Sequence, residues 1–168
     1  MKYKKIAIIG MMGAGKSTIA KALQEKIKIK MYDSDMLFEK KFNMAIRDFF
    51  NKYSQDEFRK QETLILQEII KNKSFILSCG GGIILSEKNR SLLFNKDIFT
   101  IYLSADTSTI FDRIKEDTTR PLLQVDNLKN EIERILNQRK KYYSMANLTI
   151  STDNKVIDEI TEEILCAI

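Results

Sequence analysis

The sequence contains no histidine, one proline and two cysteines among its 168 residues, and each scarcity excludes a type of site. Without histidine there can be no Ser-His-Asp triad, no histidine-ligated zinc and no histidine general base, so any proton transfer must use a carboxylate. Cys79 and Cys166 lack a CxxC spacing, and we expect no disulfide. The first apolar run, Ile6 to Ile9, is too short for a signal peptide or a membrane span. We therefore expect a cytoplasmic protein with no membrane partner.

A large excess of one charge is also missing. Lys and Arg total 28 while Asp and Glu total 23, which gives a net charge of +5. Basic and acidic residues alternate, as in the stretch from Asp56 to Glu62, instead of forming a basic block. This pattern predicts no nucleic-acid partner and mildly favours anionic ligands. The length predicts one compact domain over residues 1–168.

Short apolar runs alternate with longer helical patterns along the whole chain. Such alternation is typical of βαβ units and predicts an α/β fold with a parallel sheet. Ser54 and Glu57 form a capping-box pattern that predicts the start of a long helix. The predicted strands are Lys5 to Ile9, Ile29 to Tyr32, Phe75 to Cys79, Ile98 to Leu103 and Leu148 to Ser151.

A phosphate-binding loop is predicted directly after the first strand. Residues Gly10 to Ser17 fit the pattern G-x-x-x-x-G-K-[ST] and precede a helical segment that starts near Lys16. The glycines let consecutive backbone N–H groups face phosphate oxygens, and the helix N-terminus adds partial positive charge. Lys16 would reach the β- and γ-phosphates, and the Ser17 hydroxyl would ligate Mg²⁺. The nucleotide-binding residues of this loop are predicted to be Gly13, Ala14, Gly15, Lys16, Ser17 and Thr18.

Two further motifs follow the second and third strands, where ligands of open α/β sheets bind. Asp33-Ser34-Asp35 would place both carboxylates on one side of an extended segment. One could support Mg²⁺ through water while the other accepts a proton from an attacking hydroxyl. A turn with a helix cap at Ser34 or Asp35 is the alternative. Gly80-Gly81-Gly82 could bring backbone amides against a ligand, or could simply be a turn.

The segment from Glu116 to Asp126 is mostly polar and contains Pro121, the only proline. It joins two helical stretches, and we predict a mobile lid over about residues 114–126. Closing a lid would exclude water, which competes with the acceptor in phosphoryl transfer.

Taken together, these motifs resemble the shikimate kinase family. The resemblance rests on the phosphate loop, Asp33-Ser34-Asp35, Phe58-Arg59 with Glu62, Ser78-Cys79-Gly80-Gly81-Gly82, and Arg120-Pro121-Leu122-Leu123. It covers nearly the whole chain in order and spacing. It implies a three-layer P-loop NTPase domain of the nucleoside-monophosphate-kinase type, with a five-stranded parallel sheet of order 2-3-1-4-5. It also implies a substrate-binding helical region at about residues 33–62, ATP and shikimate as substrates, Mg²⁺ as cofactor, and a monomer.

The resemblance also implies roles for residues at the acceptor site. Asp35 would bind the shikimate hydroxyls and act as the base, and Asp33 would support the metal with Ser17. Arg59, braced by Glu62, would pair with the substrate carboxylate, because a planar guanidinium matches both of its oxygens. Gly81 would contact the substrate. An exposed i,i+3 ion pair is the alternative for Arg59 and Glu62. Ile46, Phe50 and Phe58 would form the apolar wall against the substrate ring. Without the resemblance, these three residues would be interpreted as core residues.

On the nucleotide side, the resemblance implies that Arg120 swings onto the γ-phosphate and that Arg113 stacks on adenine. Asn154 falls in a stretch, residues 152–154, that resembles the family's adenine-contacting loop. Arg139 would be the second arginine for the substrate carboxylate. The family usually has proline two residues after this arginine, whereas this chain has Lys141, and the interval from Arg139 to Ala146 is one residue shorter.

Two other functions stay open at this point. A kinase of the same fold that acts on gluconate or a nucleoside monophosphate would need other acceptor-site residues in place of Arg59 and Gly81. A non-kinase P-loop ATPase or switch would share the phosphate loop but would have no use for Asp35 with a lid arginine.

Overall fold

The sheet contains five parallel strands in the order β2-β3-β1-β4-β5, which confirms the predicted fold class and strand order. The structure is a computed structural model that describes residues 2–115 and 127–168. The predicted lid segment, residues 116–126, and Arg120 within it lie outside the described residues. The strands are β1 (Lys5–Ile9), β2 (Met31–Asp33), β3 (Phe75–Ser78), β4 (Phe99–Ser104) and β5 (Leu148–Ser151).

Helices connect the parallel strands, as crossover connections require. They are α1 (Lys16–Ile27), α2 (Ser34–Phe42), α3 (Ile46–Lys52), α4 (Gln55–Ile70), α5 (Glu87–Leu93), α6 (Thr107–Ile114), α7 (Leu128–Tyr143) and α8 (Ile157–Ala167), with a 3-10 helix at Ile83–Leu85. The predicted start of α4 is confirmed, because the Ser54 hydroxyl accepts a hydrogen bond from the Glu57 N–H at 3.1 Å. The Glu57 carboxylate accepts from Gln61 at 2.9 Å. No described helix has both the length and the apolar character needed to cross a membrane.

Side chains that alternate along the central strand β1 divide the core into two parts. Ile6 and Ile8 are fully buried in a cluster with residues of α1 and α8. Ala7 and Ile9 are buried in a second cluster with residues of α2, α3, α4 and α7. Because a strand directs successive side chains to opposite faces, these clusters lie on the two sides of the sheet. This arrangement is the expected three-layer architecture.

The prediction for the segment after β2 is wrong in one respect. The strand ends at Asp33 and helix α2 begins at Ser34, so Asp35 lies in the first helical turn instead of an extended segment. The cap is Asp33, whose carboxylate accepts from the N–H groups of Asp35 at 3.0 Å and Met36 at 3.2 Å. A carboxylate at this position satisfies N–H groups that have no partner within the helix. The cap thereby fixes where Asp35 emerges from the strand end.

Candidate active site

The phosphate loop joins β1 to α1 and contains two glycines in a left-handed conformation. Gly13 and Gly15 have φ angles of 78° and 87°, which lie in the left-handed region that other residues rarely adopt. A Cβ on Gly13 would also lie 2.7 Å from a methyl carbon of Ile114. Gly15 is the N-cap of α1, so the helix opens directly at the loop. The first N–H groups of a helix have no partner within that helix, so a helix that opens at this loop can offer donors to an anion.

The side chains at the end of the loop also converge. Lys16 is 9% exposed, and its ammonium donates to the Met11 carbonyl at 2.9 Å. The Ser17 hydroxyl donates to Asp33 Oδ2 at 2.7 Å and lies 3.0 Å from the Ser78 hydroxyl. Ser17 and Asp33, the two predicted metal residues, are therefore direct neighbours. Hydroxyl and carboxylate oxygens are hard ligands of the kind that Mg²⁺ prefers, so the donor set fits that ion.

A cleft of about 430 Å³ lies beside this loop. It collects most of the residues that the sequence predicted for the nucleotide and acceptor sites. Lining residues that were predicted are Gly13, Ala14, Gly15, Lys16, Ser17, Thr18, Asp33, Asp35, Gly81 and Arg113. Other lining residues include Met12, Ser78, Thr152, Lys155 and Ile157.

Each outer glycine of the Gly80-Gly81-Gly82 turn makes room for one functional side chain. A Cβ on Gly80 would overlap the Asp35 carboxylate, and a Cβ on Gly82 would overlap the Arg59 guanidinium. The Gly80 N–H also donates to the Ser34 hydroxyl at 2.7 Å. The turn is therefore more than a chain reversal, because the absent side chains are what allow a carboxylate and a guanidinium to approach it.

Arg59 and Glu62 form a partly buried ion pair on α4. They are therefore not the exposed surface pair that was the alternative interpretation. The Arg59 Nη1 donates to both oxygens of Glu62, at 2.9 Å and 2.8 Å, and Glu62 is only 4% exposed. Burial raises the pKa of the Glu62 carboxyl to about 7, while Arg59 opposes that increase. Asp35 raises the pKa further, and Arg139 lowers it. The pair holds one edge of the guanidinium, and the group retains other donors for a ligand.

Arg139 reaches the same turn from α7. It is 7% exposed, and its Nη1 donates to the Gly81 carbonyl at 2.8 Å. One turn later, the ring of Tyr143 stacks on that of Tyr102 in β4, with centroids 4.4 Å apart and planes 5° apart. This stack fixes the rotation of α7 against the sheet. The structure thus brings Arg139 beside Arg59 even though Lys141 stands where the family usually has proline.

Arg113 also lines the cleft, where it connects two loops. Its guanidinium donates to the Gly13 carbonyl at 3.1 Å and to the hydroxyl and carbonyl of Thr152 at 3.0 and 3.1 Å. Asn154 is exposed, has a φ of 55°, and is not among the described residues that line the cleft. Lys155 and Ile157 line it instead. Sequence reasoning missed both, and their only signal was their place directly after residues 152–154.

Aromatic packing closes the acceptor side behind Arg59. Phe58 is 4% exposed, and its ring lies 4.7 Å from that of Phe50. The Arg59 guanidinium carbon lies 5.0 Å from the Phe58 ring centroid, a cation–π contact. Phe50 and Ile46 are half-buried against the same cluster. The predicted apolar wall is therefore also part of the core.

A parallel sheet with the Gly10 to Ser17 loop at the carboxyl end of its central strand defines a P-loop nucleotide-binding protein. Comparisons with known proteins identify the family within this class. The family model for shikimate kinase matches residues 12–168. The chain belongs to the shikimate kinase family.

Individual relatives agree with this family. A shikimate kinase from Enterococcus faecalis is 41% identical over 165 residues, which cover 96% of this chain and 96% of that protein. The solved structure of a shikimate kinase from Acinetobacter baumannii in complex with shikimate is 32% identical and superposes with a TM-score of 0.93. That match covers 99% of this chain and 93% of the other. The similarity therefore extends over the complete fold and is not limited to the phosphate loop.

A gluconokinase from Sinorhizobium meliloti shares the fold at 14% identity, with a TM-score of 0.63 over 96% of this chain and 89% of its own. At that identity the likeness concerns the fold alone. It gives no support to gluconate as the acceptor.

Proposed function

We propose that this protein transfers the γ-phosphoryl group of ATP to the 3-hydroxyl of shikimate, giving shikimate 3-phosphate and ADP. The observation that carries the proposal is the glycine turn, which has Asp35 at Gly80, Arg139 at Gly81 and Arg59 at Gly82. One potential base and two guanidiniums therefore meet at one turn, whose middle residue lies next to the phosphate loop. That arrangement suits an acceptor that carries a hydroxyl and a carboxylate. The A. baumannii relative supports the choice of acceptor because it binds shikimate.

On the nucleotide side, the loop amides and Lys16 bind the β- and γ-phosphates. Lys16 then stabilises charge on the transferring group without covalent chemistry, because the transition state is loose and depends mainly on positioning and electrostatics. Thr18, at the start of α1, and Ala14 complete the phosphate side of the cleft. Arg113, between Gly13 and Thr152, packs against adenine in the cleft, with Asn154 in the adjoining turn.

Ser17 and Asp33 would hold Mg²⁺, Ser17 directly and Asp33 through water. A bound ion would supply positive charge to neutralise the negative charge that develops during transfer. The hydrogen bond between Ser17 and Asp33 keeps both oxygens together at the cleft. Within residues 2–115 and 127–168 there is no cluster of three acidic, cysteine or histidine ligands, and Mg²⁺ bound to phosphates requires few protein ligands.

On the acceptor side, Arg59 and Arg139 bind the carboxylate, and Gly81 lets the ring approach the backbone. Asp35 hydrogen-bonds to the ring hydroxyls and accepts the proton of the attacking one. A charged carboxylate suits this role in a chain without histidine. Two arginines supply positive charge where the acceptor carries its negative charge, which favours an acidic acceptor over a neutral sugar.

Further parts of the proposal rest on the family resemblance. Arg120 would contact the γ-phosphate from the lid over residues 114–126, although it lies outside the described residues. Residues 1–168 would act as one kinase domain, with residues 33–62 as the acceptor-binding region. We also propose a cytoplasmic monomer that serves the synthesis of chorismate and the aromatic amino acids.

The test is ADP release by the purified protein with ATP and Mg²⁺, in parallel with shikimate, gluconate, AMP and no acceptor. We expect turnover that depends on shikimate. A Lys16→Ala preparation purified in the same way controls for contaminating kinases. Equal ADP release with and without acceptors would instead identify an ATPase, and a preference for gluconate or AMP would overturn the assignment of Arg59 and Arg139.

A further inference from the structure

Asn89 is a buried polar residue for which the proposed mechanism has no use. It lies on α5 and has 0% exposure. Its amide nitrogen donates to Glu62 Oε2 at 3.3 Å and to the Ile83 carbonyl at 3.2 Å. Its amide oxygen accepts from the Thr63 hydroxyl at 2.7 Å. A buried primary amide is unfavourable unless it is hydrogen-bonded, and here both amide donors and the acceptor have partners.

All three hydrogen-bond partners of the Asn89 side chain connect it to Arg59. Glu62 is the carboxylate that holds the Arg59 guanidinium. The Thr63 hydroxyl also contacts the Arg59 carbonyl at 2.9 Å. Ile83 directly follows Gly82, against which the guanidinium lies. Asn89 therefore connects the helix that carries Arg59 to the turn that Arg59 must approach.

We propose that Asn89 is a positioning residue for the acceptor's carboxylate, because it holds Glu62, and through Glu62 the Arg59 guanidinium, in place against the glycine turn. This inference rests on the proposed function of Arg59. Asn89 is fully buried, so it acts through Arg59 and is not itself a catalytic residue.

The chemistry of the site favours asparagine over its isostere, aspartate. An amide donates to Glu62 and Ile83 while it accepts from Thr63, whereas an ionised carboxylate can only accept. Charged groups already surround Glu62, with Arg59 on its own helix, Asp35 on α2 and Arg139 on α7. In Asn89→Asp, another acid would face Glu62, raise the pKa of Glu62 further and weaken its ionic contact with Arg59.

The first measurement compares the wild type with Asn89→Asp in steady-state ADP release. We expect the KM for shikimate to increase about tenfold, because the loss of one hydrogen bond to a charged group changes an equilibrium constant by about that factor. The KM for ATP should stay unchanged. The matched control is Thr100→Val. Thr100 is also fully buried, and its hydroxyl donates to the Leu93 carbonyl at 2.7 Å at the other end of α5. A similar increase in Thr100→Val would overturn the proposal, because it would show a general effect of loosening α5.

The second measurement repeats Asn89→Asp in an Arg59→Gln background, with kcat/KM for shikimate as the readout. If Asn89 acts through Arg59, its effect should shrink to less than twofold in this background, since coupled residues are not additive. An undiminished effect would overturn the proposal.

A second variant serves if Asn89→Asp does not fold. Thr63→Val removes the hydroxyl that contacts Asn89 and should raise the KM for shikimate about threefold. An unchanged KM would then count against the proposal.

The wild-type measurement separates this inference from the proposed function. Absence of shikimate-dependent turnover in the wild type would contradict the proposed function. Normal turnover in the wild type combined with an unchanged Asn89→Asp variant would contradict the role of Asn89 alone.

Discussion

The two halves of the proposed site are built in different ways. In the nucleotide half, the proposed phosphate-binding part is one continuous stretch, Gly10 to Ser17, whose binding groups would be mainly backbone amides. The acceptor half brings together Asp35, Arg59, Gly82 and Arg139 from four distant segments. The nucleotide half therefore depends on local backbone conformation, and the acceptor half depends on packing between helices. Substitutions in the nucleotide half should therefore act by removing a charge. Substitutions in the acceptor half can also act by displacing a side chain.

The largest expected effect tests the nucleotide half. Lys16→Ala should lower kcat by about 10²–10³-fold, because it removes a charge that stabilises the transition state. In our proposal Asp33 acts on the metal through water, so its loss should cost less at saturating ATP and Mg²⁺. Asp33→Ala also removes the cap of α2, and Asp33→Asn is the better-matched variant because it keeps an acceptor oxygen there. A greater loss of turnover in Asp33→Asn than in Lys16→Ala would contradict this order.

The second prediction concerns the chemistry of the acceptor half. Asp35→Asn keeps the shape of the side chain but cannot accept a proton, and we expect kcat to decrease about 10²-fold with the KM for ATP unchanged. Asp48→Asn, at an exposed position on α3, is the control and should behave like the wild type. Turnover above a tenth of the wild-type value in Asp35→Asn would remove Asp35 from the role of base.

The third prediction separates displacement from loss of charge. Gly82 has φ −98° and ψ −2°, which alanine adopts without strain, yet a methyl group there would push the Arg59 guanidinium away. Gly82→Ala should therefore raise the KM for shikimate about tenfold, equivalent to about 1.4 kcal/mol, with kcat nearly unchanged. Gly80→Ala displaces Asp35 instead and should lower kcat. If both variants changed the same kinetic parameter, the two glycines would not have separate roles.

The last and smallest expected effect is a change of stability with pH. The folded-state pKa of Glu62 is about 7 against an ordinary value of 4.5, so the unfolded chain releases this proton at lower pH than the folded protein. The stability that results is fully present below pH 4.5 and is lost as pH rises through 7, by roughly 3 kcal/mol in total. Relative to Glu62→Gln, the wild type should therefore become less stable between pH 5 and pH 8. Denaturant unfolding at both pH values measures this difference.

The control for the stability prediction is Glu68→Gln, at an exposed position on the same helix. Its stability relative to the wild type should stay nearly constant over this pH range. A constant difference for Glu62→Gln as well would mean that Glu62 is ionised in the folded protein at pH 5.

Much of the fold followed from sequence patterns. The predicted limits of β1 and β5 match the structure residue for residue, β3 differs by one residue at its end, and β4 is shifted by one residue at both ends. The error is larger at β2, which is an edge strand with half-buried residues. Its apolar pattern is weak, and the Asp33 cap converts the next residues into helix. Where burial is partial, capping chemistry determines the boundary more strongly than hydrophobicity.

The sequence by itself determined the phosphate loop, because the spacing of Gly10, Gly15, Lys16 and Ser17 prescribes a local backbone path that needs no distant partner. It also determined the alternation of strands and helices that produces the parallel sheet. Only the tertiary structure decided that Glu62 is buried against Arg59 and that Asn89 supports the pair. Spacing along a helix brings two charges together, but whether water surrounds them depends on segments far away in the chain, and burial gives those charges their perturbed pKa and their fixed geometry.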